Sequence, residues 1–486
     1  MNHFTASALP DEGSGCLYLF QLVDRAVPDY FAPDRHVTVA RAPGRIDVMG
    51  GIADYSGSLV LQMPTSEAAC VAVQDRDDEL VCVWSPSRDD SRSQIVKWGM
   101  GDLGLRDRHI DLAVAGMLLR SVPRDRWTCY VLGALLMLAE AKGLRITKGL
   151  ALLLHSDVPE GKGVGSSAAI TVATMRALAA HFGIALTGVE LALLCQRVEN
   201  EIAKAPCGVM DPMAVACGKA NELMALRCQP CEPEDSVALP EAMEIVGIDS
   251  GVRHAVTDSS YGDVRAAAAM GARMLLDLRG IGVHDSGLQR WGEGDPWRGY
   301  LANCPADEWR QRWDDKLPSS MLGAEFVHRY GGHADRHAKV DEQRHYPVRA
   351  ATRHPIEENA RAERFRAILQ DGAAGDNERM ELGDLMHASH RSYTACGLGH
   401  ASTDYLVEQA RMRRDKAGLL YGARVTGAGS GGTVALLGKR VHVWHEALRI
   451  KKALLEATGH SAIIFRYSSH GAMPFGWIRL SPKPTA

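Results

Sequence analysis

No run of this 486-residue chain is apolar for long enough to cross a bilayer. The longest, Val131 to Ala139, falls well short of the ~20 residues a spanning helix needs. Met1 to Cys16 lacks the basic start and long apolar core of a secretory signal. Charge of one sign is also missing: 55 basic and 59 acidic side chains leave a net charge of −4. Nothing in that balance recruits nucleic acid or an acidic membrane surface. Eleven cysteines, an odd number set in apolar contexts such as Val81-Cys82-Val83, do not form a disulfide framework and read as reduced core residues. There is no internal repeat and no low-complexity tract. What remains is a cytoplasmic protein whose partner is a small molecule.

The length calls for two domains. Residues 1–35 form a short N-terminal element with a connector at Pro28 and Pro33. From residue 36 to 262, apolar runs of strand character (Val37 to Ala40, Leu59 to Met63, Ala68 to Gln74, Leu80 to Trp84, Gly149 to His155, Glu244 to Ile248) alternate with helical stretches, which predicts an α+β domain. Gly183 to Gly218 reads as two helices broken at Pro206 to Gly208. Residues 263–486 predict a second α+β domain, with helices at Val264 to Leu278, Pro355 to Leu369 and Arg379 to Ser392. Its strands fall at Gly422 to Val425, Gly432 to Leu437 and Ala462 to Arg466. Residues 285–346, dense in Trp, Arg, His and Gly, fit neither pattern and read as an insertion. Within it His328, His333, His337 and His345 lie among charges and read as a solvated surface. Cys228-Gln229-Pro230-Cys231 has the spacing of half a zinc site or a redox pair, but no second pair follows at a suitable distance.

Three glycine-rich segments carry chemistry. In Pro159-Glu160-Gly161-Lys162-Gly163-Val164-Gly165-Ser166-Ser167-Ala168 a strand hands over to a helix through glycines and serines. Unpaired N–H groups and the helix dipole attract anionic oxygens at such a junction, and glycine lets the backbone approach them. No Gly-Lys-Ser or Gly-Lys-Thr closes the run, so it is not a Walker A loop. Phosphate binding and a plain glycine-rich turn both remain open on local grounds. The second segment, Ala42-Pro43-Gly44-Arg45 through Asp54-Tyr55, ends a strand on a cation and follows with a carboxylate. Arg45 could hold a phosphoryl group or a carboxylate, and Asp54 could accept from hydroxyls; a surface arginine and a turn aspartate is the plainer alternative. The third, Val425-Thr426-Gly427-Ala428-Gly429-Ser430-Gly431-Gly432-Thr433, has the glycines of a dinucleotide fingerprint but runs into a strand rather than a helix. A tight loop between two strands, packed on another loop through bare backbone, fits it better.

In this order and spacing the three segments resemble the three motifs of the GHMP kinase family. The resemblance implies a two-domain fold, an N-terminal ribosomal-protein-S5-like α+β domain and a C-terminal ferredoxin-like α+β domain with the active site between them. It also implies ATP, Mg2+ and phosphoryl transfer to a small-molecule hydroxyl or carboxylate. Gln196-Arg197-Val198-Glu199, the run Ala205 to Asp211, and Val252-Arg253-His254 leading to Tyr261 resemble the galactokinase branch of sugar-1-kinases. The run Asp47 to Pro64 and the segment Ala395-Cys396-Gly397-Leu398-Gly399 resemble the L-arabinokinase group within it.

Carried over position by position, the resemblance implies Asp211 as the catalytic aspartate with Arg45 beside it, and Ser167 and Glu199 as magnesium ligands, Ser166 being the alternative serine. Gly161, Gly163, Gly165, Ser166, Ser167 and Ala168 match the ATP loop. Asp54, Gly208 and Tyr261 match sugar-contacting positions. Galactokinases usually carry Glu-His where this chain has Gly51-Ile52, and those polar residues face the C6 hydroxyl. Gly51 and Ile52 are therefore expected to form an apolar wall suited to L-arabinose, which has the ring hydroxyls of D-galactose without C6. Galactokinase and galacturonokinase activity are the rival expectations. A non-catalytic sugar- and ATP-responsive regulator would show damage to the loop or the catalytic pair, and Ser166, Ser167, Arg45 and Asp211 are all present. Pro212 and Ser430 depart from the usual glutamine and aromatic.

Overall fold

The computed structural model describes all residues except 1, 8–13, 87–91, 107–108, 206, 253–258, 282–293, 374 and 485–486. Strands Val37–Met49 and Leu59–Arg76 pair antiparallel along most of their length and form the spine of the larger sheet. Gly149–Ser156 continues it, followed by Leu80–Trp84, parallel to its neighbour, and Ile95–Gly99. Leu59–Arg76 runs unbroken through Pro64, where two separate strands are expected from the sequence. Pro64 lies opposite Arg45 at a register shift, a place where a missing ladder donor is tolerated.

Helices Thr128–Lys142, Ser166–His181, Gly188–Arg197 and Met210–Cys217 cover one face of this sheet and enclose the main apolar core with it. Thr128–Lys142 and Ser166–His181 are apolar almost all round, as buried helices are.

A second, antiparallel sheet has the order Leu420–Val425, Thr433–Lys439, Met243–Asp249, Ile464–Phe465. Two strands therefore cross the boundary expected at residue 262. Met243–Asp249 lies centrally in the second sheet, and Trp477–Pro482 returns to the first, pairing with Val37–Ala40. Local pattern cannot reveal this, because an apolar strand reads the same whichever sheet takes it.

Residues 294–346, the described part of the segment 285–346 expected as an insertion, pack against helices Ser259–Leu278 and Val348–Gln370 around fully buried Trp309, Phe326 and Tyr346. His328, His337 and His345 are exposed there and His333 is half-buried. Helix Val348–Gln370 begins a full two turns before Pro355, which it carries inside it. All eleven cysteines are free thiols, Cys228 buried and Cys231 half-buried.

Candidate active site

The three glycine-rich segments meet in space. The strands Leu420–Val425 and Thr433–Lys439 form a hairpin around the third of them, and its glycines lie directly on the loop before helix Ser166–His181. A Cβ on Gly427 would meet the Gly163 carbonyl at 2.8 Å, and one on Gly432 the Lys162 carbonyl at 2.9 Å. Two bare backbones touch, as expected from the sequence, and any side chain would part them. Thr433 Oγ1 donates to the Lys162 carbonyl at 2.8 Å, and Lys162 Nζ pairs with buried Asp249 at 3.0 Å. That lysine is thus committed to structure.

Helix Ser166–His181 starts from Gly165 in the left-handed region, at φ 75°, with no side chain capping its N-terminus. Ser166 and Ser167, its first two residues, border a cleft of about 660 Å³, as do Gly161, Gly163 and Gly165. Ala168 is fully buried below them.

Arg45 enters from a bulged part of its strand. It is 2 % exposed and donates to both oxygens of Asp211, Nε to Oδ1 at 2.7 Å and Nη2 to Oδ2 at 2.6 Å. Its remaining nitrogen, Nη1, donates to the Gly163 carbonyl at 2.6 Å. One guanidinium therefore fixes the distance between the carboxylate and the glycine loop. Burial opposes its charge, but Asp211 outweighs this and holds Arg45 above its ordinary value. Asp211 lies in the first turn of Met210–Cys217, where the helix dipole favours an anion. Pro212 follows in the same turn, where its missing N–H costs no helical bond, so the departure from the usual glutamine leaves Asp211 in place.

Glu199 sits on a π-helical turn, Val198–Ala203, and Ser167 Oγ donates to its Oε2 at 3.0 Å. Its Oε1 is buried without a hydrogen-bond partner among the described residues. Burial first, then the charge of Asp211, push the Glu199 carboxyl up to about 8 against the opposing Ser167 hydrogen bond and Arg45. An orphaned carboxylate oxygen beside a serine hydroxyl at the glycine-rich loop fits a hard divalent cation.

Asp54 is 4 % exposed, and neither of its oxygens has a hydrogen-bond partner among the described residues. Burial and then the Asp211 charge raise it to about 7. Gly208 is required beside it, since a Cβ there would fall 1.6 Å from Asp54 Oδ2. Tyr261, on helix Ser259–Leu278, and Ile52 line the same end of the cleft.

Gly51 does not join them, which corrects the expectation that it forms part of the wall. Its missing Cβ would meet the Tyr393 hydroxyl at 1.9 Å and Asp47 Oδ2 at 2.7 Å. The space above Gly51 holds buried polar machinery: Arg424 Nη1 pairs with Asp47 Oδ2 at 3.0 Å, both side chains fully buried, and Gln62 Nε2 donates to Asp47 Oδ1 at 2.8 Å. Ile52 alone faces the cleft.

The far end of the cleft is bordered by Arg126, Trp127, Tyr130 and Lys204, none of them singled out from the sequence. Their only signal is an aromatic and basic cluster around residue 127, which a surface helix start displays equally well. Pro206, Arg253 and His254 lie outside the described residues.

Comparison with known proteins agrees with this geometry. Residues 129–219 match the GHMP kinases N terminal domain, and residues 30–75 match the galactokinase galactose-binding signature. The chain is 39 % identical to an L-arabinokinase of Arabidopsis thaliana over 94 % of its own length, and spans about half (48 %) of that protein. It is 30 % identical to a galactokinase of Chloroflexus aggregans, with 82 % of this chain and 83 % of that protein aligned. The Lactococcus lactis galactokinase complexed with galactose has the same fold, with TM-score 0.71 and 20 % identity over 93 % of this chain and 99 % of that one. A mevalonate kinase follows at TM-score 0.52 and 12 % identity, covering 89 % and 99 %. With the three motifs assembled around one cleft, and a galactokinase matched at this identity over most of both chains, the chain belongs to the GHMP kinase family, among its galactokinase-like sugar kinases.

Proposed function

We propose that this protein transfers the γ-phosphate of ATP to the anomeric hydroxyl of L-arabinose, giving L-arabinose 1-phosphate. The observation that carries the reading is the Arg45 guanidinium, which grips Asp211 with two nitrogens and the phosphate loop with the third. ATP lies with its phosphates on the N-terminus of Ser166–His181, and its base toward Trp127 and Tyr130. The sugar stands between Asp54, Tyr261 and Ile52, with its anomeric hydroxyl at Asp211. Each Asp211 oxygen keeps a lone pair beyond its bond to Arg45, so the carboxylate can align that hydroxyl toward the phosphorus and take its proton as the new O–P bond forms and the bond from the γ-phosphorus to the ADP oxygen breaks, ADP leaving. An anomeric hydroxyl is more acidic than an ordinary alcohol, so a carboxylate suffices as its base.

Mg2+, when bound, neutralises charge on the ATP phosphates, and Glu199 and Ser167 are the side chains that would hold it. Asp54 offers both unpartnered oxygens to ring hydroxyls, and Gly208 leaves room for it to do so.

The pentose assignment rests on Ile52. A buried hydroxyl that faces it instead of a polar partner loses roughly 1–3 kcal/mol. The identity to an L-arabinokinase over nearly the whole chain supports the same choice. Galactokinase is the second reading, favoured by galactokinase relatives that align over 82–90 % of both chains. An ATP-consumption assay with L-arabinose, D-galactose, D-galacturonate and D-glucuronate, with the phosphate position determined on the product, separates them. A higher kcat/KM on galactose would sink the arabinose reading.

A further inference from the structure

Behind the sugar end of the cleft is a smaller recess between helix Ser259–Leu278 and the segment that follows Gly294. It measures about 40 Å³, room for roughly three waters at the 10–15 Å³ that each needs. Ala269, Ala272 and Leu276 give it apolar walls. Three polar atoms of its lining residues are buried without a hydrogen-bond partner among the described residues: Arg265 Nη1, Arg273 Nη1 and Tyr55 Oη. All three can donate. Arg273 Nη1 lies 3.7 Å from Asp277 Oδ1, too far for a hydrogen bond. The one carboxylate among the described lining residues, Asp335, already accepts from Arg265 with both oxygens, at 2.7 and 3.1 Å. Donors are in excess and an acceptor is missing.

We propose that this recess binds a small oxyanion, a phosphate or carboxylate group of a few heavy atoms, and that its occupancy weakens sugar binding in the adjoining cleft. Arg265 is 4 % exposed, and an acceptor reaching its Nη1 is shielded from water, where charge-assisted hydrogen bonds are strong. The same arginine lies over the Tyr55 ring, 5.7 Å from its centre, and Tyr55 meets Tyr261 edge-on at 6.1 Å. The positive charge of Arg265 favours the ionised form of Asp54 against burial and Asp211. An oxyanion on Arg265 offsets that field, so Asp54 accepts less well from sugar hydroxyls. The coupling rests on the sugar standing beside Asp54; the binding claim does not.

The test titrates the full-length protein with inorganic phosphate and, separately, acetate, against chloride at matched ionic strength. The ATP site is saturated with a nonhydrolysable analogue so that the phosphate loop is filled. Phosphate or acetate should raise the melting temperature by about 2 °C at tenfold excess over Kd. Arg273→Met and Tyr55→Phe should each weaken binding ~10-fold. Phosphate effective alone assigns the recess to phosphate esters, and both effective assigns it to carboxylates as well. No shift with either anion, or an equal shift in both variants, overturns the site and leaves water as its occupant. With binding present, the KM for sugar at saturating ATP should rise with phosphate in the wild type and stay flat in Arg273→Met. An unchanged KM overturns the coupling alone.

Discussion

Tyr393 occupies the place that a side chain at Gly51 would need. Its hydroxyl accepts from the Ile52 N–H at 2.9 Å and donates to the Gly427 carbonyl at 3.0 Å, so it ties the first glycine-rich segment to the third. Gly51, at φ 48°, has the backbone of a left-handed turn as well. Gly51→Ala therefore meets two penalties, the backbone conformation and the contact with Tyr393, and should lose ~2 kcal/mol or more of stability in urea unfolding. Tyr393→Phe should lose a similar amount by orphaning a buried N–H. The double variant should be more stable than the sum of losses implies, by ~1 kcal/mol, because the phenylalanine vacates the contested space. Strict additivity would show that the hydroxyl is not what reserves it.

Asp211→Asn keeps the shape of the side chain proposed as the base and removes its capacity to take a proton. Turnover should fall ~10²–10⁴-fold. ATP affinity measured by calorimetry should stay within a few-fold, since Arg45 still reaches Gly163. Near-normal turnover would remove Asp211 from the chemistry.

Much of this was legible in the sequence, and the misreadings have a common cause. The Pro159–Ala168 segment showed its strand-to-helix junction through local composition, and residues 166–181 are indeed helical. Local chemistry leaves it open between phosphate site and turn; only the fold brings Arg45 and Glu199, remote in the chain, into hydrogen bonds with it. Gly51 misleads because a sequence displays a missing side chain without displaying what fills the gap, here a tyrosine on helix Asp376–Ala395. Strand Trp477–Pro482 went unseen for a similar reason, since its six residues alternate too briefly to stand out without their partner Val37–Ala40. The donors around Tyr55 have no sequence signature at all, because an unsatisfied atom exists only once packing has excluded its partners.

Asp54 should give sugar binding a pH dependence. Its folded-state value of about 7 lies above the ordinary 3.8, so between these values the folded protein holds a proton that the unfolded chain has released. The stability contributed by this group is full below pH ~4, declines as pH rises to about 7 and levels off beyond. Hydroxyls donating to its unpartnered oxygens favour the carboxylate, so sugar binding should expel up to ~0.5 proton at pH 7. Calorimetry in two buffers of different ionisation enthalpy measures this. The release should vanish in Asp54→Asn, and its absence in the wild type would remove Asp54 from the sugar site.

Ser167→Ala removes the hydroxyl that donates to Glu199. With a magnesium-binding role, the Mg2+ concentration for half-maximal rate should rise ~10-fold while the rate at saturating Mg2+ falls less. An unaltered Mg2+ requirement would transfer the role to Ser166.

In the proposed reading, the choice between a pentose and a hexose falls to Ile52. It is fully buried in the chain fold and still borders the cleft, with its backbone N–H held by Tyr393. Shortening it to alanine opens volume where C6 of galactose would extend, without supplying a partner for the C6 hydroxyl. Ile52→Ala should therefore lower kcat/KM for L-arabinose through lost apolar contact and raise relative activity on D-galactose, moving the ratio of the two by ~10-fold toward galactose. Ile52→Ser, which adds a hydroxyl to the same opening, should move it further. If both variants keep the wild-type ratio, the sugar's C5 side lies elsewhere and the apolar wall does not select the substrate.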